Sequence, residues 1–350
     1  MRRRLLDVEI PGEHEAAERT WRVVSGAYAE YEPRPRTRRP VGFIALAAAA
    51  VVALVVVAVS PAGPALVRSV RSAVGVEHAE PALVALPAAG RLLVDSGAGS
   101  WIVGADGSKR LLGHYASSGW SPHGLFEVVT RGHELAAVDP KGNVRWSLER
   151  TGAVHDAAWS PDGYRIAYLA GRSLRVVAGD GTGDRLLAAA VVPVAPVWRP
   201  GTDHVLTYIT LSGAVREVNT DTGATVALRH VRARPALLLW SHDGSRLFAS
   251  GRNVVAAAWA PGSARLATVR YDATHDRSTV ELGARTVVQG TGRIDGVSWS
   301  PDGRWLLLGW RTADQWVFAP VRRGAHIRAV ASISAQFHSR TFPRVRGWCC

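Results

Sequence analysis

Apolar and polar positions change their rhythm twice along the chain. From Gly12 to Glu30, apolar Ala16, Ala17, Trp21, Val24 and Tyr28 recur near the helical period, with Glu13, Glu15 and Glu18 in the first turn. This predicts an amphipathic helix that Pro33 and Pro35 end. Val41 to Ser60 is then a run of twenty residues without a charge. At 1.5 Å per residue it makes about 30 Å of helix, the thickness of a bilayer's hydrocarbon core. Pro64 to Val74 reads as a short helix after it. Beyond residue 85 the helical period gives way to short apolar or alternating runs of strand length, separated by Gly, Pro, Asp and Ser.

Those runs repeat. WSPHG starts at Trp120, WSPDG at Trp159, WRPGT at Trp198, WSHDG at Trp240, WAPGS at Trp259 and WSPDG at Trp299, at intervals of 39, 39, 42, 19 and 40 residues. A period near forty with short strands predicts four-stranded propeller blades. Each apolar run ends at Trp as an inner strand, and the large ring is placed to pack between blades. The Ser-Pro-Asp-Gly that follows suits a type I turn, so Asp162, Gly163, Asp243, Gly244, Asp302 and Gly303 are read as turn residues. Second turns about twenty residues past the Trp, such as Asp139-Pro140-Lys141-Gly142 and Gly179-Asp180-Gly181, separate the outer strands.

These WSPDG units resemble the TolB-type, WD-like propeller repeats over residues 85–350. The resemblance implies an all-β propeller with a binding role. The α/β domain that precedes the propeller in TolB has no counterpart here, nor has the GxSxG hydrolase domain of prolyl-oligopeptidase-like enzymes. Membership of the Tol system and peptidase activity are therefore not implied.

Two irregularities refine the expectation. The 19-residue interval between Trp240 and Trp259 is half a period and predicts a blade without its outer hairpin. Phe342 to Trp348 reads as an inner strand with Trp348 in the motif position and nothing after it, while Arg91–Val94, Trp101–Val103 and Arg110–Leu112 lack an inner strand before them. The last strand is expected to complete the first blade, which removes open edges. Seven sectors result, one of them short, with six blades as the alternative.

The organisation expected is thus a cytoplasmic segment over 1–40, a transmembrane helix over 41–60, a linker over 61–84 and an exported propeller over 85–350. Orientation follows the arginines. Residues 1–40 hold nine, including Arg34, Arg36, Arg38 and Arg39 just before the span, whereas residues 62–85 hold only Arg68 and Arg71. Cleavage near Ala58-Val59-Ser60 would require a forty-residue leader ahead of the apolar run, so an uncleaved anchor is favoured.

Composition changes the picture only at the margins. Of the 42 basic residues only Lys109 and Lys141 are lysine, a bias expected of a GC-rich bacterial genome. It weakens any inference of nucleic-acid binding from the net charge of +13. Beyond residue 40, 33 basic and 22 acidic residues leave +11, which suits an anionic envelope polymer.

Cys349 and Cys350 are adjacent, where a disulfide closes a strained small ring, so neither a structural staple nor a zinc site is expected of them. The histidines show no HExxH and no close carboxylate-His cluster, and the Asp180–Asp184 loop reads as a turn rather than a calcium site. No catalytic, cofactor or metal residue is assigned and no cofactor is implied. The reading is a non-enzymatic membrane-anchored binding or scaffold module of the cell envelope, with an envelope protein or anionic polymer as partner. A glycan-active lyase or hydrolase, and a sensor signalling through the Gly12–Glu30 helix, are the alternatives.

Overall fold

Alternating side chains and the regularly spaced Gly-containing turns favour strands after residue 85, and the computed structural model is accordingly built of strands, with a 3-10 turn at Arg311–Ala313 and a one-turn α-helix at Ile333–Gln336 among the described residues. It describes residues 79–230, 237–250, 253–322 and 326–350. The amphipathic helix, the apolar run over 41–60 and the helix over 64–74 lie outside these residues. Among the described residues no helix is long and apolar enough to cross a membrane.

Seven antiparallel sheets follow one another along the chain. Blade 2 comprises Ser117–Trp120, Glu127–Arg131, Glu134–Val138 and Val144–Glu149, and blade 3 comprises Val154–Trp159, Arg165–Ala170, Ser173–Ala178 and Arg185–Ala188. Blade 4 runs from Val197–Trp198 to Thr225–His230, and blade 6 comprises Val254–Trp259, Leu266–Asp272, Arg277–Leu282 and Arg285–Thr291. Blade 5 has two strands, Leu238–Trp240 and Leu247–Ala249. Only residues 250–253 separate it from blade 6, too few for another hairpin. In blade 1, Arg344–Cys349 pairs antiparallel with Arg91–Ser96 and supplies the inner strand, so the ring closes where chain end meets chain start.

Blade 7 begins with Ile294–Trp299 and gains a fifth strand, Ala79–Glu80, parallel to Arg328–Val330. The propeller therefore begins before residue 85, inside the stretch expected to be linker. Its hold is specific: the Arg328 guanidinium meets both Glu80 carboxylate oxygens at 3.0 Å, and Leu83 and Leu86 are buried.

Apolar clusters hold the ring at successive blade interfaces. Both faces of blade 3 are apolar: Ile166, Tyr168 and Val177 pack toward blade 2, while Ala167, Leu169, Leu174 and Val176 pack toward blade 4. Leu92, Val94 and Trp348 of blade 1 pack with Leu307, Trp316 and Phe318 of blade 7. Clusters also join blades 1 and 2, blades 4 and 5, and blades 6 and 7. Among the described residues, none joins blade 5 to blade 6.

At the terminus the Cys349 and Cys350 sulfurs lie side by side. Cys350 leaves the strand with a left-handed backbone, φ 46°, instead of continuing the alternation that sends neighbouring side chains to opposite faces.

Candidate functional site

The repeat unit builds one face of the ring. In blades 3, 5 and 7 the buried Ser of the motif accepts the backbone N–H five residues on, Ser160 from Arg165, Ser241 from Arg246 and Ser300 from Trp305. Each of these hydroxyls donates to the Asp two positions later at 2.5 Å, namely Asp162, Asp243 and Asp302. Those carboxylates also accept the N–H of Tyr164, Ser245 and Arg304. The Ser241 hydroxyl, then that of Ser245, holds Asp243 at about 2. Gly163, Gly244 and Gly303 close the turns at φ of 75°, 65° and 66°, a conformation in which a side chain is strained.

The tryptophans link blades. Trp198 Nε1 donates to Ala158 O at 3.0 Å, Trp259 Nε1 to Leu239 O at 3.4 Å and Trp299 Nε1 to Ala258 O at 2.9 Å. In all three the acceptor immediately precedes the motif Trp of the previous blade. Trp240 donates to Thr207 Oγ1 at 2.8 Å and Trp348 to Ala89 O at 3.1 Å. The indole N–H groups of Trp120 and Trp159 are buried without a partner. Trp299→Phe takes the indole donor from the half-buried Ala258 carbonyl and should cost about 1 kcal/mol more than Trp120→Phe, which strands nothing. Thermal unfolding of the two variants tests this, and equal losses would show that ring packing alone matters.

Between blades 2 and 3 this face opens into a groove of about 750 Å³. Phe126, Trp146, Trp159 and Tyr164 line it, and Tyr164 is 73% exposed. Its floor needs glycine. A Cβ on Gly181 would lie 2.7 Å from the Trp146 ring, and one on Gly179 would lie 2.9 Å from that of Trp159. Trp146 Nε1 donates to Gly179 O at 2.8 Å, which ties the outer strand of blade 2 to the turn of blade 3. At the rim, Arg145 pairs with Asp139 at 3.1 Å, and the Asn143 amide leads the contacts holding Asp139 at about 2.

One substitution within the repeat opens this groove. Five residues past the motif Ser or its equivalent stand Phe126, Arg165, His204, Arg246, Arg265 and Trp305. From this position Arg265 lies over the Trp299 ring at 5.7 Å and Arg91, its equivalent in blade 1, over the Trp120 ring at 5.1 Å, whereas Arg165 turns to Asp162 and Asp221. In blade 2 the position holds Phe126, which stacks on Trp159 at 6.5 Å and leaves an apolar aromatic surface uncovered. Sequence reading of the motif by its shared positions passed over Phe126, Trp146 and Tyr164. The Phe at an otherwise mostly arginine position was the available signal.

Among the described residues, two histidines pair with carboxylates. His155 lies 2.9 Å from Asp156 and His275 lies 2.5 Å from Asp272. Both pairs are sequence neighbours on turns or bulges, and the Asp156 bond raises the His155 pKa. In the Asp180–Asp184 loop, Asp180 accepts from Thr182, and Asp184 is taken up by Arg150, Arg175 and the Tyr168 hydroxyl. Among the described residues no group of three or more His, Cys, Asp or Glu could hold a metal ion.

The topology defines a β-propeller. No protein-family model matches the chain, and no curated protein matches it. Among solved structures it is similar to Hsv2 of Kluyvelomyces marxianus, at 10% identity and a TM-score of 0.48, over 67% of this chain and 90% of that one. It is also similar to a chain of a nidogen/laminin complex, at 12% identity and 0.46, over 74% and 99%. A third is the Cps50 (Swd1) β-propeller domain of Myceliophteria thermophila, at 13% and 0.42, over 71% and 87%. Likeness at this level carries no functional argument, and the assignment rests on the seven sheets and their closure.

Proposed function

We propose that this protein is a non-enzymatic, membrane-anchored, extracytoplasmic propeller that serves as a binding or scaffold module of a bacterial cell envelope. The observation that carries binding is the aromatic groove between blades 2 and 3, where Phe126 stands at the position from which Arg91 and Arg265 cover the Trp of the next blade. Concave sites lined by aromatic side chains with a few polar groups at the rim are the usual form of a binding site. The charge-free run over 41–60 and the arginines before it support anchoring with the propeller outside. The WSPDG units support a TolB-like role in binding an envelope protein or anionic polymer.

Two measurements test this. Alkaline phosphatase fused after residue 350 should be active in a bacterial host, and an inactive fusion would place the propeller inside. A photo-crosslinker at Tyr164, compared with one at the equally exposed Val84, should capture an envelope component in intact cells. Phe126→Arg should abolish that product at unchanged thermal stability. Identical products from both positions, or persistence in Phe126→Arg, would overturn the groove as the site.

A further inference from the structure

Blade 5 lacks its outer half, and the consequence appears on blade 6. The face of blade 6 toward blade 7 is apolar, with Ala267, Val269, Val280 and Val288 buried in a shared core. Alternation of the strands sends Thr268, Arg270, Thr279, Glu281 and Gln289 to the opposite face. A full blade 5 would cover that face and leave these polar groups buried, at several kcal/mol for uncompensated charges. Blade 3, which has complete neighbours, is apolar on both faces. The polar face of blade 6 and the short blade 5 therefore match each other, and the notch between them is a feature for which the sequence is built.

A pocket of about 780 Å³ opens there, lined by Arg270, Arg277, Arg293, Asn253, Thr279 and Gln289 among others. Its carboxylates are already engaged. Glu281 meets Arg270 at 3.0 Å, Asp272 meets the His275 ring at 2.5 Å and the Thr274 N–H, and Asp276 accepts from the Tyr271 hydroxyl at 2.8 Å. Arg293 is held over the Tyr271 ring at 5.3 Å. Among the described residues, no carboxylate lies within ion-pair distance of Arg277 or Arg293. The pocket thus offers the Arg277 and Arg293 guanidinium groups outside any ion pair, Arg293 adding only to the field that Asp295 already has from Arg311 and Arg344, beside amide and hydroxyl groups that suit neutral hydroxyls.

We propose that this notch binds a sugar unit bearing an anionic oxygen group, phosphate or carboxylate, of the kind displayed along an anionic polysaccharide. The guanidinium groups of Arg277 and Arg293 take the anionic oxygens. Asn253, Thr279 and Gln289 take ring hydroxyls. The site is independent of the aromatic groove and of the anchor, so either can fail without the other.

The test is calorimetric titration of the detergent-solubilised full chain at low salt with glucose 6-phosphate, galacturonate, polygalacturonate, glucose and inorganic phosphate. Binding of glucose 6-phosphate or of the uronates is expected, weakening with salt, and which of the two binds identifies the anionic group. Arg277→Gln should weaken it at least tenfold. Arg185→Gln, with the same charge change on an exposed strand of blade 3, should leave it within twofold. Absence of binding to every anionic sugar at low salt would overturn the proposal, as would equal losses in the two variants. Inorganic phosphate binding as tightly as glucose 6-phosphate would overturn the part given to the sugar. A thermal melt of Arg277→Gln within about 2 °C of the parent separates lost binding from lost fold.

Discussion

Deletion of residues 344–350 should cost the propeller its cooperative fold, with the unfolding midpoint falling by at least about 10 °C or no folded protein recovered. Arg344–Cys349 is the inner strand of blade 1, and without it Leu92, Leu93 and Val94, all at 0% exposure, lie on an open sheet edge. Trp348 also leaves the cluster that joins blade 1 to blade 7.

The polar losses are larger. Asp95, 8% exposed, is held by Arg346 at 2.7 Å and by the hydroxyls of Ser100 and Ser118 at 2.6 Å, with burial raising its pKa. Removing the cation from a buried pair costs about 3–5 kcal/mol. Asp295 of blade 7 is also raised by burial and loses the compensating field of Arg344 while keeping Arg311 at 3.8 Å. Together with the strand, the sum exceeds 5 kcal/mol, and each kcal/mol moves the midpoint of a domain this large by about 2–4 °C. Arg346→Met should lower the midpoint by less than the deletion does. Synthetic peptide 342–350 added to the shortened protein should restore part of the loss by strand addition. A deletion variant melting within about 2 °C of the parent would show that the ring does not depend on this closure.

Glu127→Gln should stabilise the protein by several kcal/mol at pH 8 and by little at pH 4.5. Glu127 opens the second strand of blade 2, directly across from Trp120, and faces blade 1. It is 0% exposed, and neither carboxylate oxygen has a hydrogen-bond partner. Burial pushes its pKa to about 8; Arg91 opposes the shift and Asp139 adds to it.

The sign follows from linkage. Below about 4.5 the group is protonated folded and unfolded, and its burial carries no ionisation penalty. Between 4.5 and about 8 the unfolded chain releases a proton that the folded protein keeps, so stability falls with rising pH. The slope is about 1.4 kcal/mol per pH unit until the folded group ionises. Glutamine removes the ionisation and keeps the shape. Urea unfolding of both proteins from pH 4.5 to 8.5 should show a gap that widens with pH. A gap that stays constant would mean that Glu127 titrates normally.

The repeat was legible from the start because its turn chemistry is local. Ser160, Asp162 and Gly163 lie within four residues and their bonds close within the same turn, so spacing alone places them. The clipped blade was legible for a similar reason, since 19 residues cannot hold four strands. Closure could be inferred from the unmatched strands at the two ends. The added strand Ala79–Glu80 could not, because it depends on backbone direction at a point where the pattern has ended.

Function-bearing surfaces divide along the same line. The aromatic groove joins Phe126, Trp146, Trp159 and Tyr164 from two blades, and only the packing of those blades sets their rings side by side. The arginine-lined pocket depends on strands that are absent from a neighbouring blade as much as on residues present in its own. Turns and strand periods act over a few residues, and they predict a ring of six or seven blades with one of them short; the seven sheets come from the fold. The tertiary structure alone decided which polar face is left uncovered and which carboxyl is buried unpaired. Burial is a property of neighbours distant in the chain, and no local pattern records it.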